Sequence, residues 1–199
     1  MEREYRHLSN ESKAIIEDCI RQIMFQLGAD PLNEGLKETP ARVSRMYDEV
    51  FEGMRFTNEE IAQMFNKCFT EEKAHDLVLI KDINAFSYCE HHMALMYNMK
   101  IHVAYIPDGK VIGLSKVPRI VDMVCKRLQL QERIGADIAD IIQMITGTKD
   151  VMVVIEAEHS CMTARGIKAN GTTTRTAVIR GLFDKNSALR SEVYQLLKD

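Results

Sequence analysis

The spacing of apolar residues changes once along this chain, near His75, and that change limits it to folds that join helices to a sheet. Upstream, over 9–27, Ile15, Ile16, Cys19, Ile20, Ile23, Met24 and Leu27 recur every three or four residues, the stripe of an amphipathic helix. Gly28 follows as its C-terminal cap. Thr39-Pro40 sets an N-cap before a proline at the first helical position. Val43, Met46, Tyr47, Val50 and Phe51 stripe that second helix, and Gly53 ends it. Thr57 and Glu60 have capping-box spacing and open a shorter helix through Ile61, Met64 and Phe65.

Downstream, 77–80 is a short apolar run, and 100–106 alternates with Ile101, Val103 and Tyr105 on one face. Pro107-Asp108-Gly109 is a turn signal that makes 111–113 a returning strand. Two helices follow over 117–128 and 132–145, the second striped by Ile134, Ile138, Ile141, Ile142 and Ile145 and stopped by Gly147. Strands over 151–157 and 172–180 close the chain. The pattern predicts an α+β fold. A helical extension over 1–75 precedes a domain over 76–199, an antiparallel four-stranded sheet with a helix pair between its second and third strands.

Composition then removes function classes. Lys and Arg number 26 against 29 Asp and Glu, a net charge of −3, which argues against the basic face of a nucleic-acid polymer binder. The longest apolar runs, such as 151–155, are far shorter than the roughly 20 residues of a membrane span. The N-terminal residues are charged and carry no apolar signal core. Five widely spaced cysteines, an odd number, do not make a disulfide framework. A reducing, cytoplasmic setting is the expectation.

The chemistry-bearing residues gather in two short segments. Cys89-Glu90-His91-His92 holds three potential metal donors within four residues, and His159-Ser160-Cys161 adds two more. Zinc takes thiolate and imidazole, and a catalytic zinc keeps three protein ligands and one open position. Cys89, His92 and Cys161 compose such a set. If the chain stays extended through 161, His159 and Cys161 share a face and a histidine stands beside the metal. Spacing alone leaves two other readings open. Cys161 as a buried hydrophobe beside a surface His pair is one, and a closed structural zinc, which lacks a fourth ligand here, is the other. Cys19, Cys68 and Cys125 read as packing residues.

The run from Asp76 to His92, DLVLIKDINAFSYCEHH, resembles the zinc-site signature of type I GTP cyclohydrolases. Further stretches resemble the same family in order: His102-Val-Ala-Tyr-Ile-Pro107, Ile112-Gly-Leu-Ser-Lys116, Arg119-Ile-Val121, Gln129-Leu-Gln-Glu-Arg133 and His159-Ser-Cys-Met-Thr-Ala-Arg-Gly166. The resemblance covers about 9–183. It implies the tunnelling fold, a homodecamer of two pentameric rings with active sites where subunits meet, and hydrolysis of GTP at C8. Formate leaves, the ribose rearranges, and 7,8-dihydroneopterin triphosphate forms, an entry to folate and other pterins.

The same resemblance assigns Zn²⁺ to Cys89, His92 and Cys161, and proton transfer to His91 and His159, whose imidazoles titrate near working pH. Glu132 matches the guanine-binding acid, with Gln131 beside it. One carboxylate accepts both N1–H and the 2-amino group, a donor pattern adenine lacks. Ser115, Lys116, Arg119 and Arg165 match positions that bind substrate, where a triphosphate of about four charges needs cations and a helix start. Arg42 matches an arginine that reaches a phosphate across a subunit boundary. Departures are few. Met93-Ala-Leu-Met-Tyr-Asn98 replaces a Leu-Pro-Phe-x-Gly stretch, Cys125 and Gly135 replace small hydroxylic or Ala residues, and Arg175 interrupts a Thr-rich tail. Asn98 suits the left-handed conformation of the missing glycine. Two competitors stand beside the enzyme reading: a non-catalytic assembly or regulatory homologue, and another tunnelling-fold enzyme of pterin or deazapurine metabolism.

Overall fold

The structure is a computed structural model that describes residues 6–198. Residues 1–5, part of the segment read as lacking a signal core, lie outside the described residues, as does Asp199.

Three helices come first. Helix α1, Asn10–Gln26, starts at Ser9, whose hydroxyl accepts from the Ser12 N–H, and Gly28 beyond its end takes a left-handed conformation. Helix α2, Thr39–Val50, begins one residue earlier than its sequence suggests: Thr39 is already helical, and the N-cap Glu38 makes no side-chain cap. Helix α3, Asn58–Met64, carries the complete capping box between Thr57 and Glu60. Gly53 does not end α2 but sits in a 3₁₀ turn, Glu52–Arg55. A Cβ there would lie 2.0 Å from the Met123 carbonyl oxygen, so glycine is required by close backbone approach.

The strands and later helices follow as β1 Cys68–Thr70, β2 Val78–Cys89, β3 Leu95–Tyr105, β4 Lys110–Ile112, α4 Lys116–Cys125, β5 Leu128–Gln129, α5 Gln131–Thr146, β6 Val151–His159, α6 Ser160–Thr163, β7 Thr174–Ile179, α7 Leu182–Lys185 and α8 Ser187–Leu196. The main sheet runs β5-β2-β3-β6-β7. Its four long strands are antiparallel, with α4 and α5 between β3 and β6 as the helix pair. This mixed arrangement is that of the tunnelling fold. Two residues of β5 add a short parallel edge. The pairing of 111–113 differs from the hairpin that Pro107-Asp108-Gly109 implied. Strand β4 pairs with β1, because β3 already has β2 on one side and β6 on the other.

The core fills between the sheet and the helix pair. Ile134, Ile138, Ile141 and Ile142 of α5 are fully buried against Ile101, Val103, Val153 and Ile155, with Phe56, Ile61 and Phe65 in the same cluster. Each such side chain contributes about 1.5–3 kcal/mol of burial. Gly135 lets α5 reach β7, since a Cβ would meet Val178 Cγ2 at 2.9 Å. On the opposite face Ala104, Met152 and Val154 are covered by Phe183 and Val193, the latter on α8, a helix the sequence reading left out. Arg127 ties the segment before α3 to α5, donating to Gly53 O, Phe56 O, Asn58 Oδ1 and Asp137 Oδ2 at 2.8–3.1 Å. The departure at Arg175 has a plain cause: it stands opposite Glu156 across β6–β7 and bonds its carboxylate.

Candidate active site

Three sheet ends and two helix starts meet where β2 stops. Cys89 is the last residue of β2 and is buried. The chain then reverses through Met93 in a left-handed conformation, held by Met93 N–H to Cys89 O and Cys89 N–H to Ala94 O, both 2.9 Å. Met93 takes up the tight turn in this divergent loop, and Asn98 takes a second left-handed position (φ 48°), its amide donating to Glu158 at 2.8 Å. The reversal brings His92 Nδ1 to 3.9 Å from Cys89 Sγ.

Cys161 arrives differently from the extended geometry read in the sequence. Strand β6 ends at His159, and Cys161 lies in the short helix α6, so strand alternation does not set its direction. The turn still delivers it: the donor atoms of Cys89, His92 and Cys161 lie within 4.8 Å of one another. A tetrahedral zinc with Zn–S about 2.3 Å and Zn–N about 2.0–2.1 Å separates its donors by roughly 3.3–3.8 Å, so small side-chain rotations close the set. Burial pushes the Cys161 thiol up, and the adjacent Cys89 thiol pushes it the same way. Two such thiols ionise together when a cation lies between them.

The remaining candidates fall into two groups. His159, Gln131 and Glu132 come together. His159 Nε2 is 2.7 Å from Gln131 Oε1, and burial holds the imidazole below its usual value while the Glu132 charge opposes that shift. Glu132, in the first turn of α5, is exposed and makes no hydrogen bond or ion pair among the described residues. Arg165 Nη1 is 3.1 Å from His92 Nε2, a fixed cation beside the donor cluster. His91 is exposed, with its ring 6.3 Å from that of His92.

The second group lies apart from those contacts. Ser115 is the N-cap of α4, and Lys116 and Arg119 occupy its first turn, their side chains without a hydrogen bond or ion pair among the described residues. Arg42, on α2, is exposed and paired with Glu38 at 2.9 Å. Sequence reasoning missed two contacts. Arg133 reaches back to Glu90 at 2.6 Å, joining α5 to the ligand loop. Gln131 is buried rather than facing solvent, a polar residue at a helix start whose only sequence signal is its place in the Gln129–Arg133 motif.

A family model described as GTP cyclohydrolase I matches residues 16–198. The GTP cyclohydrolase 1 of Clostridium botulinum (strain Loch Maree / Type A3) is 55% identical over 186 residues, covering 91% of this chain and 95% of that protein. That of Clostridium acetobutylicum is 53% identical over 195 residues, 96% of this chain and 100% of the relative. That of Ruminiclostridium cellulolyticum is 56% identical over 188 residues, 92% and 96%.

Proposed function

The chain belongs to the GTP cyclohydrolase I family of enzymes, and from that premise we propose that it hydrolyses GTP at C8, releases formate and yields 7,8-dihydroneopterin triphosphate for folate or pterin synthesis. The observation that carries this reading is the gathering of Cys89, His92 and Cys161 donor atoms within 4.8 Å. Zinc is the metal these donors suit, and when bound it supplies Lewis acidity toward the water that attacks C8. Two thiolates soften that acidity, so nearby proton carriers matter more.

The protein's own groups divide the remaining work. His159, whose imidazole burial holds below its usual value while the Glu132 charge opposes that shift, takes a proton and returns it in ring opening and ribose rearrangement. His91, exposed beside the ligand loop, serves as the second carrier. Glu132, whose carboxylate makes no hydrogen bond or ion pair among the described residues, accepts guanine N1–H and the 2-amino group. Lys116, Arg119 and Arg165 balance the triphosphate, and Ser115 opens the helix whose start favours an anion. Arg42 reaches the phosphates of a neighbouring subunit. Apart from Arg42, residues 76–199 carry this chemistry, and 1–75 form the helical N-terminal extension. The exposed apolar stripe of α1 supports assembly into the decamer of two pentameric rings. No helix among the described residues is long and apolar enough to cross a membrane, in keeping with a cytoplasmic enzyme.

Incubation of the purified, zinc-loaded protein with GTP tests the reading. Stoichiometric formate and, after oxidation, a fluorescent pterin are expected. One zinc per chain with neither product would instead identify a non-catalytic homologue.

A further inference from the structure

Gln131 is the first residue of α5, 2% exposed, and its side chain runs into the sheet rather than toward solvent. Its amide nitrogen lies 3.2 Å from Ile155 O, 3.0 Å from Thr174 O and 3.2 Å from Thr176 Oγ1. Two of these partners are backbone carbonyls, which only accept. The opposite amide orientation would set Oε1 against both of them, so the nitrogen belongs on that side and Oε1 belongs toward His159. Oε1 carries no hydrogen. At 2.7 Å from it, His159 Nε2 must therefore be the donor. A neutral imidazole protonated at Nε2 has its lone pair at Nδ1.

From these contacts we infer that Gln131 is a positioning residue, locking His159 as the Nε2–H tautomer and leaving the ring's lone pair at Nδ1. The inference rests on the proposed reaction for its kinetic consequence and replaces a direct contact between the Gln131 side chain and guanine. The backbone of His159 is fixed as well, because Thr163 Oγ1 donates to its carbonyl at 3.3 Å and shares a 3.0 Å hydrogen bond with Tyr97. His91 has no comparable hold: it is exposed, with a ring contact to His92, the Glu90 charge nearby and no side-chain hydrogen bond among the described residues. The two histidines that flank metal donors thus differ in kind, one oriented in advance and one free to sample solvent.

The test is magic-angle-spinning ¹⁵N spectroscopy of zinc-loaded protein labelled in its six histidines, a method indifferent to assembly size, with His159 assigned by its loss in His159→Asn. His159 should show a protonated Nε2 and a bare Nδ1. A resting His159 protonated at Nδ1 overturns the inference, whatever the activity. In Gln131→Met the pattern should become mixed, and kcat should fall roughly 10²-fold, within the range general acid–base catalysis supplies, with KM for GTP unchanged. A raised KM with unchanged kcat would place Gln131 on the substrate instead and refute it. Thr176→Val removes one of three anchors and leaves the two carbonyls, so tautomer and kcat should stay near the parent's. A switched tautomer there would also refute the amide argument. A parent that makes no formate yet shows Nε2–H at His159 fails the proposed reaction and not the tautomer.

Discussion

Helices α5 and α1 carry nearly the same sequence pattern and meet opposite fates. In α5 every isoleucine of the stripe is buried against the sheet. In α1, with isoleucines at the same three- and four-residue spacing, no residue is buried, and Ile23 and Leu27 are 53% and 80% exposed. The hydrogen bonds and ion pairs that tie the start of α1 to α2 centre on Asp48. Asp48 takes the Leu8 N–H at 2.7 Å and the Lys13 ammonium at 2.8 Å, with His7 and Arg55 at 3.0 and 3.1 Å, while the Ser44 hydroxyl donates to Lys13 O. Apolar periodicity states that a face needs covering; it does not state which chain supplies the cover.

The largest consequence falls on α5. Ile138 is fully buried in the cluster that joins helix pair and sheet. Ile138→Ala should cost about 2–5 kcal/mol through lost transfer energy and a cavity, read as a lowered midpoint in urea. Because α5 also presents Gln131 and Glu132, the proposed turnover should be lost at temperatures where added zinc still binds, since α5 supplies none of the proposed ligands Cys89, His92 and Cys161. A change below about 0.5 kcal/mol, the range of ordinary surface substitutions, would mean that α5 is no better covered than α1.

The same contrast marks how far the sequence could be read. Period and caps were enough for α1, α3 and α5, alternation for the second half of β3 and for β7, and a short apolar run for β6. Strand β2 was legible only at its start. Its register shifts between Ile80 and Ile83 and between Ala85 and Ser87, with Asp82 left-handed at φ 59°, so alternation breaks along Lys81-Asp-Ile-Asn-Ala-Phe-Ser. Helix α8 had a signal in Leu189 and Val193, four apart after the cap Asn186, but it is short and mostly polar. In the site, Cys89 and His92 were readable because one turn sets both. The direction of Cys161 was not, since the strand ends two residues before it. The buried amide of Gln131 depends on carbonyls from β6 and β7, which no local pattern encodes.

The polar seam of the arm makes a second test, of intermediate size. Burial alone would push the Asp48 carboxyl up, but the Lys13, Leu8 and His7 hydrogen bonds outweigh it and bring it from 3.8 to about 2. A carboxyl lowered in the folded state stabilises fully above its unfolded value, and that stability is lost as pH falls through the folded one. The contribution is on the order of 2 kcal/mol at neutral pH and disappears between about pH 4 and pH 2. Asp48→Asn should therefore lower the unfolding free energy at pH 7, with the gap to the parent closing across that interval. A gap that stays constant down to pH 2 would mean that these ion pairs do not hold α1 to α2.

The smallest effect on the chain's own stability is the sharpest separation of the two helices. Ile23 lies at the centre of the exposed stripe, beside Cys19, Gln22, Gln26 and Leu27. If α1 is covered by a second copy, Ile23→Ser removes nothing from the isolated fold and should shift its stability by no more than about 0.5 kcal/mol. It should nevertheless lower the assembled mass in sedimentation, because the apolar area lost belongs to the contact between chains. A full-sized assembly with unchanged stability would show that α1 faces water even in the oligomer. A loss of 2 kcal/mol or more at unchanged mass would show that this chain covers its own stripe, and the contrast with α5 would fail at its root.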